Sequence, residues 1–194
     1  NNLRSSNEDS YCEGYNSFTV IASNPPYLDY QNIQVIDDST NNTISIDTSN
    51  LGLGEYEFAL DTEQGFYDFQ SDPVFENIEP GVHTLYAQDI NGCGLFEIEV
   101  SVIGYPKFFT PNNDGINDTW IVKGVNEEFY SSSIIYVFDR FGKLITMVDA
   151  MQYGWDGSLN GKLLPSTDYW FRAELVKRDG TVRIKTGHFS MIRQ

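Results

Sequence analysis

Short runs of alternating, β-branched and aromatic residues recur along the first hundred residues. Such runs are typical of strands when turn-forming residues bound them. The turn clusters include Asn24-Pro25-Pro26 and Asn91-Gly92. Their spacing predicts a β-sandwich. The predicted strands are Phe18 to Ala22, Ile33 to Ile36, Thr43 to Ile46, Tyr56 to Leu60, Phe66 to Phe69, His83 to Ala87 and Phe96 to Ile103.

The second half of the chain repeats this pattern with longer final strands. A short helix is possible around Glu127 to Ser131, and the rest of this half reads as strands and Gly- or Asp-containing turns. We therefore predict an all-β protein with two consecutive β-sandwich domains. The predicted strands are Lys107 to Phe109, Trp120 to Val122, Ile134 to Asp139, Leu144 to Val148, Tyr169 to Lys177 and Arg183 to Ile192.

The distribution of charge divides the chain near Gly104. Residues 1–104 hold 18 acids and one base, Arg4, so their charge is 1 − 18 = −17; residues 105–194 hold 11 bases and 10 acids, so theirs is +1. The sum is the −16 of the whole chain. We predict domains at 1–104 and 105–194. The acidic first domain disfavours nucleic acid as a partner.

The composition indicates a folded protein that does not itself span a membrane. Hydrophobic residues make up 40% of the chain and aromatic residues 14%, which can supply apolar cores. No stretch approaches the roughly 20 consecutive apolar residues that span a bilayer. The first residue is not Met, and the first ten residues are polar and acidic. We therefore expect a fragment or mature product whose export signal, if it has one, lay upstream.

Cys12 and Cys93 both lie in the acidic half and can pair in one way. In an oxidising compartment, a disulfide would tie the first and last strands of that domain together. Two reduced, buried thiols are the alternative, and the sequence leaves both open. Neither cysteine has a second Cys or a His at the spacing of a zinc site.

Several motifs from Tyr105 onward occur together in a fixed order. They are FFTPNNDGINDTW at 108–120, VFDRFGK at 137–143, GWDG at 154–157, NGK at 160–162, LPS at 164–166, DYWF at 168–171 and GHF at 187–189. In this order they resemble the gliding-motility-associated, type B C-terminal sorting domain. Asn113 departs from the family's usual Gly, but Asn tolerates positive φ. Upstream, the segment LYAQDINGC at 85–93 resembles a hairpin of immunoglobulin-like repeats in large bacterial surface adhesins. The resemblances imply two consecutive immunoglobulin-like β-sandwich domains, an acidic repeat at 1–104 and the sorting domain at 105–194.

The resemblance implies a role in type IX secretion. Its partners would be the type IX secretion machinery and a barrel-type outer-membrane anchoring protein, and the protein would cross the outer membrane and be held at the cell surface. A receptor needs an exposed surface, and the basic C-terminal hairpin offers one. Ordinary solvation of an edge strand explains the same charges. The candidate partner-binding residues are Lys177, Arg178, Arg183, Lys185, His188 and Arg193.

The loop from Asn112 to Asp118 is rich in side-chain oxygens. Calcium takes six to eight oxygen ligands, so Asp114, Asn117 and Asp118 are candidate ligands. The loop holds two carboxylates and lacks the regular EF-hand pattern. Asx-turns that satisfy their own backbone explain the same composition. The expected cofactor is therefore none, with calcium as the alternative.

The three tryptophans, Trp120, Trp155 and Trp170, allow two interpretations. Exposed neighbours on one face would form a carbohydrate platform, whereas sandwich domains commonly bury Trp as a core anchor. We expect core positions.

No motif of a catalytic site is present, and His83 and His188 stand in predicted strands. The absence of such motifs disfavours an enzyme, and the resemblance implies the non-catalytic C-terminal region of a secreted surface adhesin, acting in gliding motility or adhesion. The alternatives are a carbohydrate-binding accessory module of a secreted hydrolase and a passive structural spacer.

Overall fold

The fold was obtained as a computed structural model that describes residues 16–17, 19–20, 22–61 and 68–193. These residues form thirteen strands, and no helix among them is long and apolar enough to cross a membrane. The strands are β1 (Ile33–Ile36), β2 (Thr43–Ile46), β3 (Tyr56–Leu60), β4 (Val74–Phe75), β5 (Gly81–Asp89), β6 (Leu95–Val102), β7 (Phe108–Phe109), β8 (Tyr130–Phe138), β9 (Leu144–Asp149), β10 (Ser158–Leu159), β11 (Lys162–Leu163), β12 (Asp168–Lys177) and β13 (Val182–Met191).

The first part of the chain consists of two three-stranded antiparallel sheets. Their strand orders are β1-β2-β4 and β3-β5-β6. In β2, Ile44 and Ile46 are buried, as the period-2 alternation of a half-buried strand requires. They pack with buried residues of the other sheet, including Phe58 and Leu85. The two sheets therefore enclose one apolar core, which is a sandwich.

The second part is organised by a five-stranded sheet with the order β7-β13-β12-β8-β9. All its neighbours are antiparallel except β7 and β13, which run parallel. Along β12, Tyr169, Phe171, Ala173 and Leu175 alternate toward the core. Outside this sheet lie the small β10-β11 pair and two isolated bridges, Gly104 with Lys123 and Trp120 with Trp155. The predicted fold class, all-β with sheets packed as sandwiches, is confirmed.

Stacked aromatic rings fill the core of the second part. The Phe189 ring, on β13, lies 4.0 Å from that of Trp120 at an interplanar angle of 13°. Trp155 contacts Phe189 edge-on at 6.0 Å. Both indoles are buried, and each Nε1–H donates to a backbone carbonyl, that of Pro106 from Trp120 and that of Ser158 from Trp155, both at 2.8 Å. Burial of these polar groups therefore leaves no donor unpaired.

Some of the predicted elements differ from the structure. Trp120 to Val122 is not a strand, because Trp120 forms an isolated bridge to Trp155. The possible helix around 127–131 is wrong. The Asn126 side chain accepts hydrogen bonds from the backbone N–H groups of Glu128 and Phe129, which closes an Asx-type turn, and β8 begins immediately afterwards. The predicted strands at 18–22 and 66–69 are not strands at the described positions 19, 20, 22, 68 and 69, and positions 18, 21, 66 and 67 lie outside the described residues.

The apolar residues form two clusters that meet where the chain passes from the first part to the second. Val102 belongs to the first cluster and Ile103 to the second. Gly104 follows in close contact with Pro80, because a Cβ at Gly104 would lie 2.2 Å from the proline Cγ. The division into domains at 104 stays a prediction.

Truncation of Phe189 tests the aromatic core. We expect Phe189→Ala to lower the free energy of unfolding by about 3–5 kcal/mol, because it leaves a cavity among stacked rings. Denaturant unfolding of the purified chain measures this. Phe141→Ala is the matched control, since Phe141 is 79% exposed, and it should leave the free energy unchanged. Equal losses in both variants would contradict the assigned core.

Candidate functional site

The C-terminal hairpin of β12 and β13 carries most of the predicted partner-binding residues. Along β13, Phe189 and Met191 face the core, so Arg183 and Lys185 lie on the same side of the strand by the period-2 rule. This side continues toward the first part of the chain. Arg183 and Lys185 there form ion pairs with Asp37 and Asp38.

Asp37 is the centre of this contact. The Arg183 guanidinium donates from Nη1 to Oδ2 at 2.8 Å and from Nη2 to Oδ1 at 2.7 Å, the bidentate geometry that suits guanidinium and carboxylate. The Ile103 N–H also donates to Oδ2, at 3.1 Å, and the Asp38 N–H donates to the Ile103 carbonyl at 3.2 Å. The hydrogen bonds to Asp37 raise the pKa of Arg183. Asp37 therefore joins the hairpin to the connection between the two parts.

Buried tyrosines lie beside this ion pair. Tyr105 stacks on Phe171 at 5.2 Å, and the Lys185 ammonium lies 5.9 Å from the Tyr105 ring. Burial raises the pKa of Tyr105 to about 12 and also raises that of Tyr130. Both phenols are therefore neutral at physiological pH. They provide an apolar environment for Arg183, in which its pairing with Asp37 is less screened than at the surface.

A cavity of about 410 Å³ opens beside the ion pair. Residues of both parts line it: Tyr30 and Val100 from the first, Phe129 and Tyr130 from the second. The Tyr30 and Phe129 rings meet edge-on at 5.9 Å across it. We call the surface formed by Asp37, Asp38, Arg183, Lys185 and this cavity the junction.

Of the other predicted partner-binding residues, Lys177 and Arg178 line the same cavity, whereas His188 and Arg193 lie elsewhere. Arg178 donates from Nε to the Glu127 carbonyl at 2.7 Å, and Lys177 is exposed at the end of the hairpin. His188 is exposed on the opposite face of the sheet, with its ring 6.2 Å from that of Trp170.

Arg193 has a structural position. Its Nη2 donates to the carbonyls of Asp156 and Gly157, at 3.2 and 3.0 Å, and its Nη1 donates to that of Pro111 at 3.4 Å. The structure therefore does not bring the six predicted residues together on one basic face. Their role in binding a partner stays a prediction.

In the loop at 112–118, the carboxylates of Asp114 and Asp118 accept hydrogen bonds from other residues of the same loop. Asp118 accepts three backbone N–H bonds, at 3.0 Å from Asn112, 2.6 Å from Asn113 and 2.8 Å from Gly115. Asp114 accepts from the Ile116 N–H and from the Asn112 amide, both at 2.8 Å. These bonds engage all four carboxylate oxygens, as expected of Asx-turn chemistry.

The remaining residues of this loop fit the same turn. Asn113 and Asn117 adopt φ of 63° and 53°, the region that Asn tolerates. Among the described residues no group of three His, Cys, Asp or Glu side chains could hold a metal ion. Calcium at Asp114, Asn117 and Asp118 stays a prediction.

The predicted disulfide also stays a prediction. Cys93 is exposed, and its N–H donates to Asp89 at 3.2 Å in the turn between β5 and β6. Cys12 lies outside the described residues.

The tryptophans divide between core and surface. Trp120 and Trp155 are buried, as expected of core anchors. Trp170 is 41% exposed on β12, beside His188. The core expectation therefore holds for two of the three.

Sequence reasoning did not identify Asp37 and Asp38 as contacts of the basic hairpin. The sequence feature that points to them is a pair of adjacent acids at the end of a predicted strand, in the half of the chain with excess negative charge. The pairing joins residues 146 positions apart, so no local pattern could reveal it.

A double-mutant cycle tests the junction. We expect Asp37→Asn and Arg183→Gln to be coupled by about 1 kcal/mol in the free energy of unfolding, because each removes the other's partner. Denaturant unfolding of the four chains measures the coupling. The control cycle replaces Arg183→Gln by Arg140→Gln, since Arg140 lies at the β8–β9 turn without a described contact to Asp37. Additive effects in both cycles would contradict the junction.

The pH dependence of stability tests the loop. Backbone N–H groups, that of Gly115 foremost, lower the pKa of Asp118. Because the pKa of Asp118 is lower in the folded chain than in the unfolded chain, the Asp118 carboxylate stabilises the fold at any pH above the unfolded pKa of about 3.9. This stabilisation is lost as the pH falls through the folded pKa.

We therefore expect Asp118→Asn to be less stable than the parent chain at pH 7, with the difference shrinking below about pH 4. Urea unfolding across pH measures it. Glu127→Gln, a change at an exposed acid of the same part, should have no effect at either pH. A difference for Asp118→Asn that is independent of pH would refute the role of its carboxylate.

Comparisons with known proteins place the second part in a family. Residues 103–191 match the model of the CHU_C Type IX secretion signal domain. A comparison with curated proteins finds no match. Among solved structures, the chain is similar to a segment of two fibronectin type-III domains from chicken tenascin, with 13% identity, 87% of this chain and 99% of that chain covered, and a TM-score of 0.31.

Two further solved structures are similar over smaller shares of their own length. One is the BSP domain of a biofilm-associated protein, with 15% identity, 83% of this chain and 29% of that chain covered, and a TM-score of 0.27. The other is dimeric latent PorU from Porphyromonas gingivalis, with 12% identity, 88% and 20% covered, and a TM-score of 0.31. The family match carries the assignment: residues 103–191 belong to the type IX secretion signal domain family, which supports export of the protein across the outer membrane by that system.

Proposed function

We propose that this chain is the non-catalytic C-terminal region of a cell-surface adhesin. In this proposal the type IX machinery recognises residues 103–191 during export, and a barrel-type outer-membrane protein then retains the protein at the surface, for adhesion or gliding motility. The observation that carries the proposal is the family match over residues 103–191, which span the whole of the second apolar cluster.

The motif residues of the signal domain serve two different purposes. Trp120, Trp155 and Phe189 are buried and build the core. Phe141 is exposed at the β8–β9 turn, where the Arg140 guanidinium lies 4.8 Å from its ring. Folding explains the first group, whereas an exposed aromatic ring with a cation beside it suits recognition by another protein. We therefore assign the exposed motif segments to the contact with the machinery.

The acidic first part acts in this proposal as a spacer and as a support for the signal domain. Its −17 charge opposes close approach of other acidic surfaces. The ion pairs of Asp37 and Asp38 hold it against the hairpin. The adhesive ligand itself would bind upstream of this region.

The side chain of His83 is engaged by neighbouring polar groups, which supports a non-catalytic role. His83 lies 3.0 Å from Asp61 through Nδ1 and 2.8 Å from the Glu79 carbonyl through Nε2. Both ring nitrogens are thereby engaged within the first part. The burial of Trp120 and Trp155 likewise leaves the carbohydrate-platform alternative with one exposed indole, that of Trp170.

Export of a passenger tests the proposal. A reporter fused to residues 1–194 is expected to reach the surface of a type IX-competent host, whereas the same fusion lacking residues 105–194 should stay inside. Protease accessibility on whole cells measures both, and the culture medium shows whether the reporter is retained or released.

A third fusion carrying Phe189→Ala serves as the control, because a destabilised core should abolish export through loss of the fold. Equal export with and without residues 105–194 would refute the proposal. Export followed by complete release into the medium would refute only the anchoring step.

A further inference from the structure

The five-stranded sheet has two edges, and the edge at β7 and β13 is covered in part. Strand β7 pairs with β13 at Ser190 and Met191. At the start of β13, Arg183 and Lys185 contact Asp37 and Asp38 of the first part. Covering strands and charged side chains are the usual means by which proteins protect sheet edges from pairing with other chains.

The other edge is β9, and it is open. Strand β9 pairs with β8 from Leu144 to Asp149 and has no second neighbour in the sheet. Among the described residues, no backbone group from 144 to 148 bonds to backbone outside β8. In an antiparallel pair every second residue directs its N–H and C=O away from the partner. A row of backbone donors and acceptors therefore faces outward along β9.

Apart from a register shift at its start, where Leu144 and Thr146 pair with the adjacent Phe138 and Val137, β9 lacks the devices that protect an edge. Its residues are Leu-Ile-Thr-Met-Val-Asp, without Pro, Lys or Arg, and the nearest charges are Lys143 before it and Asp149 at its end. Met147, in the middle, is 63% exposed. Such a strand is a template for pairing with another extended chain.

A depression runs beside this open edge. It has a volume of about 270 Å³, and its lining comprises residues 146–149 of β9 and residues 152–156 of the following loop. Tyr153, on its rim, is 87% exposed. Open backbone, exposed large apolar side chains and a depression thus coincide on one side of the signal domain.

We propose that the edge of β9 is the docking site for an extended strand of the protein partner that recognises this domain. Only another extended backbone matches alternating donors and acceptors at the spacing of a strand. The depression between Met147 and Tyr153 would receive side chains of the docked strand. A second copy of the chain is opposed by the charge of −17 that residues 1–104 of each copy carry, although residues 105–194 carry only +1. The inference rests on the proposed function and names the surface through which it acts.

The test uses the reporter fused to residues 1–194 with the substitution Met147→Lys. Lysine on an edge strand opposes strand addition, and the exposed position tolerates it. We expect about tenfold less reporter at the cell surface, the effect of losing a central contact of an interface. The matched control is Ile184→Lys, which adds the same charge at a residue 56% exposed on β13 of the same sheet, away from β9. It should keep parental export.

Each outcome decides the inference. Export of the Met147→Lys fusion at the level of the parent fusion would overturn the inference. An equal loss of export in Met147→Lys and Ile184→Lys would also overturn it, because the face of the sheet rather than its edge would then bind the partner. The thermal midpoint of each purified chain verifies folding. If Met147→Lys lowers the thermal midpoint, Tyr153→Lys repeats the test.

If the purified chain is a dimer that Met147→Lys dissociates, the occupant is a second copy and the proposal of a partner strand is wrong. If the parent fusion is exported equally without residues 105–194, the proposed function fails instead.

Discussion

The contact between Phe189 and Trp120 is the interaction on which the signal domain depends. It joins the last long strand of the sheet to a segment that has little regular structure of its own, and the 4.0 Å stacking replaces the pairing that a second large sheet would supply. Trp155 closes the same cluster through its bridge to Trp120. Because aromatic rings bury large areas with defined geometry, a few of them can hold a layer of loops and isolated bridges in place.

This construction separates the residues that fold the domain from those that remain available to a partner. The buried motif residues contribute to the aromatic cluster, and the Asp118 carboxylate closes the loop that precedes Trp120. The open edge of β9 and the Arg140–Phe141 turn lie outside that cluster. A recognition signal requires this division, since a surface that binds a receptor must not also be required for folding.

The charge asymmetry of the chain gains a structural meaning at the junction. Two of the acids that make the first part so negative contact two bases of the hairpin, beside buried Tyr105 and Tyr130. The bidentate pair between Asp37 and Arg183 fixes geometry because guanidinium and carboxylate meet in a planar fork. The basic residues predicted as a free surface are thus partly engaged within the chain.

The sequence by itself determined the strands and the family. Local runs of β-branched and aromatic residues predicted β1, β2 and β3 with their observed bounds. Burial alternates with period 2 in β1 and β2, whereas in β3 the adjacent Phe58 and Ala59 are both buried. The ordered motifs identified the signal domain for a similar reason, since turns and core anchors are each encoded in a few adjacent residues.

Tertiary structure decided which side chains meet. Whether Arg183 is free or paired depends on Asp37, far away in the chain, and whether Trp170 is buried depends on which face of β12 is covered. The short strands β4, β10 and β11 also escaped prediction, because two residues give no periodicity to read. The open edge at β9 arises from strand order, which alternation along one strand cannot specify.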